Sequence, residues 1–250
     1  MLILTMIFNI FSYKTAYVMV HTLYEFFEFL YYSFLCYYQI CLNVYHKFSK
    51  IEDRKFVYEN TRVIKKIPTH VSIILGNEEP SYKDLAKLVL WCVTTGITYI
   101  SFYDHKGVLK KSEEKLHQAI EDKKALDVHI IWYKDQHSYK NGFVGKKVHL
   151  RTFSLSDGRK SIAACAKKLC ESDIKDINLD TVDKTLREKY IFPDPELCLY
   201  CGNVFTLFGY PPWEVRLTEF ISIGSHHNIN PRIFIRALYR FSKIEMRLGK

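Results

Sequence analysis

From Val71 onward, short uninterrupted apolar runs alternate with stretches whose apolar residues recur every three or four positions. Val71 to Leu75 (VSIIL) is β-branched and unbroken, the pattern of a strand buried on both faces. Ser81 then opens a predicted helix with Asp84 three residues on as the acidic half of a capping box, and Leu85, Leu88, Val89 and Cys92 form its apolar stripe. Gly96 closes it at the position after the last helical residue. Ile97 to Tyr103 reads as the next strand, so the first unit is strand, helix, strand with a crossover. The theme repeats with a second capped helix from Ser112, strands over Asp127 to Tyr133 and Lys147 to Phe153, and helices near Arg159 to Cys170 and Asp180 to Tyr190. Leu197 to Cys201 reads as a last buried strand. Asn230 as cap and Pro231 as first residue launch a final helix. Its core face is Ile233, Phe234, Ala237, Leu238, Phe241 and Ile244, and its other side carries Arg232, Arg236, Arg240, Lys243 and Arg247. The fold class is α/β, an open, mostly parallel sheet flanked by helices.

The first 46 residues follow a different rhythm: Lys14, Glu25 and Glu28 are the only Lys, Arg, Asp or Glu among crowded Phe, Tyr, Leu and Ile. Residues 29–45 are free of charge, close to the lower end of the ~17–25 residues that a helix needs to cross hydrocarbon. The tyrosines suit an interfacial belt, and the basic segment 47–66 suits a cytosolic flank. One spanning helix over about 29–45 is the expectation, with an interfacial amphipathic segment as the alternative. A cleaved signal peptide lacks its basic start and its small-residue cleavage pattern. The division expected is therefore 1–46 as anchor, 47–66 as basic juxtamembrane linker and 67–250 as a single domain, without an internal repeat or a Ser/Gly-rich linker.

At 250 residues and 48% hydrophobic, the chain supports one sizeable core and one additional segment. Its formal charge of +9 would attract any polyanion, yet no nucleic-acid recognition motif accompanies it. Seven cysteines, two of them in the apolar N-terminal stretch, read as reduced thiols. The segments after the first two strands, Gly76-Asn77-Glu78-Glu79 and Asp104-His105-Lys106-Gly107, lack the glycine spacing of a nucleotide cradle. Cys198-x-x-Cys201 has no second pair at zinc spacing, and within a strand its two thiols would share no face. His226-His227 reads as a polar turn rather than a ligand pair, so no metal site is assigned.

Several segments together resemble the cis-prenyltransferase family, over about residue 68 to the end. Catalytic members open with H-x-x-x-I-M-D-G-N, where the aspartate holds magnesium and the diphosphate; here the run is His70-Val-Ser-Ile-Ile-Leu75-Gly76-Asn77, without an aspartate. Their later motif, P-D-L-x-I-R-T-S/G-G-E-x-R-L-S-N-F-x-x-W, aligns without a gap from Pro195 to Trp213, with Tyr200 and Thr206 on the two diphosphate-binding arginines. Glu219 aligns with an acidic residue that helps to hold magnesium there. The degenerate positions are thus Leu75, Gly76, Tyr200 and Thr206, and two adjacent phosphates need bidentate arginine or a metal to be held.

Leu90-Trp91-Cys92, Gly96 to Ser101, Tyr103-Asp104-His105 and Arg216 to Glu219 are similar to the Nogo-B receptor type branch, the accessory subunits of dehydrodolichyl diphosphate synthase. That resemblance implies a membrane-anchored, non-catalytic partner in a heteromeric enzyme that extends an allylic diphosphate with isopentenyl diphosphate for dolichol synthesis and protein glycosylation. It implies location in the endoplasmic reticulum membrane with the domain facing the cytosol, and magnesium in the active site of the catalytic subunit. It also implies that Arg247, Leu248 and Gly249 reach that site in trans to bind isopentenyl diphosphate, with Arg247 and Gly249 acting in catalysis. The alternative is a membrane receptor or lipid-binding scaffold that needs no Arg247.

Overall fold

The computed structural model describes residues 2–48, 53–124, 128–132, 145–172, 177–187 and 192–245, with side chains in the first helix described for 13–38 and 41. The chain divides into two compact units, 1–51 and 52–250.

The first unit is one helix, α1 (Leu2–Phe48), longer than the expected span. Among the described residues no helix is long and apolar enough to cross a membrane.

In the second unit α2 (Asp53–Thr61) comes first. The basic linker expected over 47–66 therefore contains a helix, and its Val57 is fully buried among core residues. Then follow β1 (His70–Ile74), α3 (Tyr82–Thr95), β2 (Tyr99–Asp104), α4 (Val108–Lys111), α5 (Glu113–Glu121), β3 (Val128–Trp132) and β4 (Lys146–Ser154). The chain continues through α6 (Arg159–Cys170), α7 (Leu179–Arg187), β5 (Leu197–Cys201), β6 (Glu219–Gly224) and α8 (Pro231–Ser242). The six strands pair in the order β3-β4-β2-β1-β5-β6 and every pairing is parallel.

The apolar runs become the central strands because both of their faces are covered. Val71, Ile73, Phe102, Leu199 and Ile221 point into the larger cluster with Leu85, Leu88, Trp91, Phe234 and Phe241 of α3 and α8. Each such fully buried side chain contributes about 1.5–3 kcal/mol. Ile74, Tyr103, Phe153, Cys198 and Tyr210 form a smaller cluster on the opposite face. Buried polar side chains share that second face, and His70 is the clearest: its Nδ1 donates to the Pro193 carbonyl (2.6 Å), so Nε2 accepts from the Ser101 hydroxyl (2.9 Å).

Two helix starts differ from expectation. Ser81 and Ser112 stand at the caps of α3 and α5, but neither hydroxyl caps a backbone N–H. The Ser81 hydroxyl donates to Asp84 Oδ2 (2.7 Å), and that same oxygen accepts the Asn228 N–H (3.1 Å), so a tertiary contact replaces the local box. Ser112 donates back to the Val108 carbonyl (2.6 Å) because α4 ends directly before it. The end of α3 and the start of α8 match the reading: Gly96 takes the left-handed φ of 90°, and Asn230 accepts the Arg232 N–H. The strand β6 is an addition at the sheet edge, since Leu197 to Cys201 is not the last strand.

Candidate functional site

In a sheet of this order, β1 has β2 on one side and β5 on the other, so the connections diverge between β1 and β5. Ligands of such sheets bind at that divergence, beyond the carboxyl ends of the strands. The residues placed there are Leu75 and Gly76 after β1, Tyr200 near the end of β5 and the residues that follow it to Gly209, so the four degenerate positions read from the motifs lie at one edge of the sheet.

At this crevice an aromatic side chain of the chain itself packs against the first loop. A Cβ on Gly76, whose φ is +63°, would lie 3.2 Å from the Phe208 ring and 3.1 Å from the Cys201 carbonyl oxygen. The Phe208 ring stacks on His105 at 5.0 Å between centroids, and the Tyr103 hydroxyl donates to the Phe208 carbonyl at 2.6 Å. Burial pushes that phenol up to about 12, with help from the negative charges of Asp104 and Asp157, so it remains a donor. Phe208 itself adopts a left-handed φ of 49°, a strain of roughly 1–2 kcal/mol for a bulky residue that these contacts offset. In the motif Phe208 falls on the serine, so a bulky ring in a small-residue position was the available signal, and the reading of the charged positions alone passed over it. Tyr200 is half-buried with its ring 5.4 Å from Phe205, and Thr206 is exposed. Neither carries charge.

The carboxylates of this edge hold the loops to one another. Asp104 accepts the N–H groups of Lys106 (2.9 Å) and Leu109 (3.0 Å), Glu79 pairs with Lys106 (2.6 Å), and Asp157 with Lys110 (2.7 Å). Glu78 accepts both the side chain (2.5 Å) and the backbone N–H (3.1 Å) of His226. Burial alone would raise the Glu78 carboxyl, but the hydrogen bonds from His226 and Ser225 outweigh it and bring it down to about 2. His226 lies in the turn expected from its sequence but is fully buried there, because its ring bridges the loop after β1 to the start of α3. His227 remains exposed.

Glu78, Cys201 and His226 present ligand-type atoms within 4.8 Å of one another. The hydrogen bonds exclude a simple metal cradle. His226 Nε2 accepts the Ser81 N–H (3.0 Å), so the ring proton sits on Nδ1, which faces Glu78 and has no lone pair to offer. Burial pushes the Cys201 thiol up, away from the thiolate a metal needs. Magnesium, a hard cation that takes oxygen ligands, suits this donor set poorly. Glu219 opens β6 opposite Leu197, which is level with Val71, five residues and ~17 Å along the strands from Gly76. Cys198 and Cys201 lie in the smaller and the larger core cluster, on opposite faces of the sheet as expected. Arg247, Leu248 and Gly249 lie outside the described residues.

No protein-family model matches the chain. Over 205 residues it is 32% identical to "Dehydrodolichyl diphosphate synthase complex subunit Nus1" of Mus musculus, a match spanning 76% of this chain and 69% of that protein. The subunit nus1 of Schizosaccharomyces pombe is 32% identical over 218 residues, 78% of this chain and 82% of the relative. The chain belongs to the NUS1 family.

Solved structures agree on the fold. A lavandulyl diphosphate synthase from Lavandula x intermedia aligns with a TM-score of 0.54 at 16% identity, covering 72% of this chain and 98% of that one. A probable undecaprenyl diphosphate synthase from Campylobacter jejuni aligns at 0.55 and 18%, covering 74% and 100%. The resemblance read from the motifs therefore holds at the level of family and fold. This NUS1-family chain has the parallel sheet of those synthases, with an aromatic ring lying against Gly76.

Proposed function

We propose that the chain is the non-catalytic subunit of a heteromeric cis-prenyltransferase that makes dehydrodolichyl diphosphate. The observation that carries this reading is Phe208 packed against Gly76 at the divergence of the sheet, with Tyr200 and Thr206 in place of the two arginines. An aromatic ring and neutral side chains cannot stabilise a departing diphosphate, which needs preorganised positive charge. The reaction is the head-to-tail addition of isopentenyl diphosphate to an allylic diphosphate. Magnesium belongs to the catalytic partner, since the donors at this edge do not suit it.

In this reading α1 anchors the subunit in the endoplasmic reticulum membrane, through a spanning segment near 29–45 or by lying in the interface, with the domain in the cytosol. The segment Arg247-Leu248-Gly249 enters the active site of the partner, where Arg247 donates charge-assisted hydrogen bonds to isopentenyl diphosphate and Gly249 lets the backbone approach it.

The test is to assay isopentenyl diphosphate incorporation by the purified chain, by the catalytic partner and by both together. Turnover only, or far faster, in the mixture is the expected result. Robust prenyl transfer by this chain alone overturns the reading, and a partner whose rate is indifferent to this chain would favour the receptor or scaffold alternative.

A further inference from the structure

At the amino-terminal edge of the sheet, away from Gly76, a groove of about 450 Å³ opens between α2, the end of α3 and the first residues of β3 and β4. Arg54 and Lys55 reach it from α2 and Lys146 from β4, and no described lining residue is acidic. Among the described residues no carboxylate forms an ion pair with any of these three cations. Tyr58, four residues after Arg54 and so on the same helix face, adds a half-exposed ring. Its hydroxyl accepts from Arg62 (3.1 Å), which places a fourth cation beside the groove.

The carbonyl end of α3 also borders the groove and would repel an anion if left bare. It is not bare. Val93 O accepts the Gly96 N–H (3.2 Å) with Lys146 Nζ at 3.5 Å, and Cys92 O accepts the Ile97 N–H (3.0 Å). The net character is cationic, so an anion entering the groove would relieve the mutual repulsion of the three cations. The remaining lining is Thr94 with the nearly buried Val93 and Val128, which form the floor of the groove beneath the cations.

We propose that this groove binds a phosphate-bearing anion, and that its occupant is the headgroup of an anionic phospholipid. Arg54 stands in the first turn of the helix that follows α1 in sequence, so the groove is built on the segment adjacent in sequence to the apolar helix. The lipid source rests on the membrane anchoring proposed above. The phosphate chemistry does not.

The test uses the full chain in neutral detergent and measures acylation of each lysine by N-acetoxysuccinimide, read by peptide mass spectrometry. Lys167, 78% exposed on α6, is the reference. Dihexanoylphosphatidylglycerol is expected to slow the reaction of Lys55 and Lys146 at least fivefold relative to Lys167, while zwitterionic dihexanoylphosphatidylcholine leaves them unchanged. Arg54→Gln should weaken the protection about tenfold, the scale of one charge-assisted hydrogen bond. Equal protection by inorganic phosphate would keep the anion site and overturn the lipid as its occupant. Absence of protection by either anion, or equal protection by phosphatidylcholine, overturns the proposal. A protein that carbonate washes from membranes but that still shows anion protection would retire the anchor and leave the site standing.

Discussion

His70 links stability to pH through a buried imidazole whose two nitrogens are both committed. Burial disfavours its cation, the charge of Arg151 adds to that, and the hydrogen bond to the Pro193 carbonyl opposes them, leaving the group lowered to about 4 from an ordinary 6.5. Between pH 6.5 and 4 the unfolded chain therefore takes up a proton that the folded chain refuses. Stability is complete above 6.5 and falls as pH decreases through that window, at up to 1.36 kcal/mol per pH unit, or about 3 kcal/mol in all. The measurement is urea unfolding of the full chain followed by tryptophan fluorescence; Trp91, Trp132 and Trp213 are the three tryptophans and all lie in the second unit. His149 is also lowered by burial and contributes in the same direction, so the comparison is with His70→Asn, which retains a donor toward Pro193 and cannot titrate. The stability difference between wild type and variant should be constant above pH 6.5 and should shift by about 3 kcal/mol against the wild type on reaching pH 4. Parallel curves for the two proteins would refute the assignment of a neutral, doubly bonded His70.

Four further outcomes are expected. Arg247→Ala in the complex should leave assembly intact and lower turnover by about 10²–10³, the loss typical of one preorganised donor, whereas Arg236→Ala on the exposed side of α8 should do little; full activity after Arg247→Ala would remove the tail from the mechanism. Glu78→Gln should destabilise the domain by about 1–2 kcal/mol at pH 7, less than a fully buried charge would because Glu78 stays partly solvated. Because the Glu78 carboxyl is depressed, its contribution is complete above about pH 4.5 and disappears as pH falls toward 2, and denaturant titrations of wild type and variant at pH 7 and pH 3 check both the size and the direction. Asn230→Ala should lower stability by about 1 kcal/mol through the lost cap of α8, as measured by the urea midpoint. Carbonate washing of microsomes should leave the protein in the membrane, and protease added outside should digest the domain; a protected domain would reverse the orientation.

Much of this molecule is local in origin. The runs around Ile73, Phe102 and Leu199 are apolar apart from the small Ser72 and Ser101, so a strand covered on both faces accommodates them best, and parallel crossovers follow from the helices between. Gly96 and the Asn230-Pro231 pair stop and start their helices by backbone chemistry that needs no distant partner. The loss of charge at Tyr200 and Thr206 was equally legible, because a missing guanidinium is missing in any conformation. What the sequence left open concerns contacts between residues far apart along it. Ser81 abandons its capping role because Asn228 arrives at Asp84, and His226 is buried because Glu78 and Ser81 meet it from the other end of the domain. Val57 turns a basic stretch into part of the core only once α8 and α3 supply the surface that buries it. Phe208 is the decisive case: a motif alignment records a large residue in a small one's position, but that its ring lies against Gly76 depends on β5 pairing beside β1, which places the two loops at one edge of the sheet.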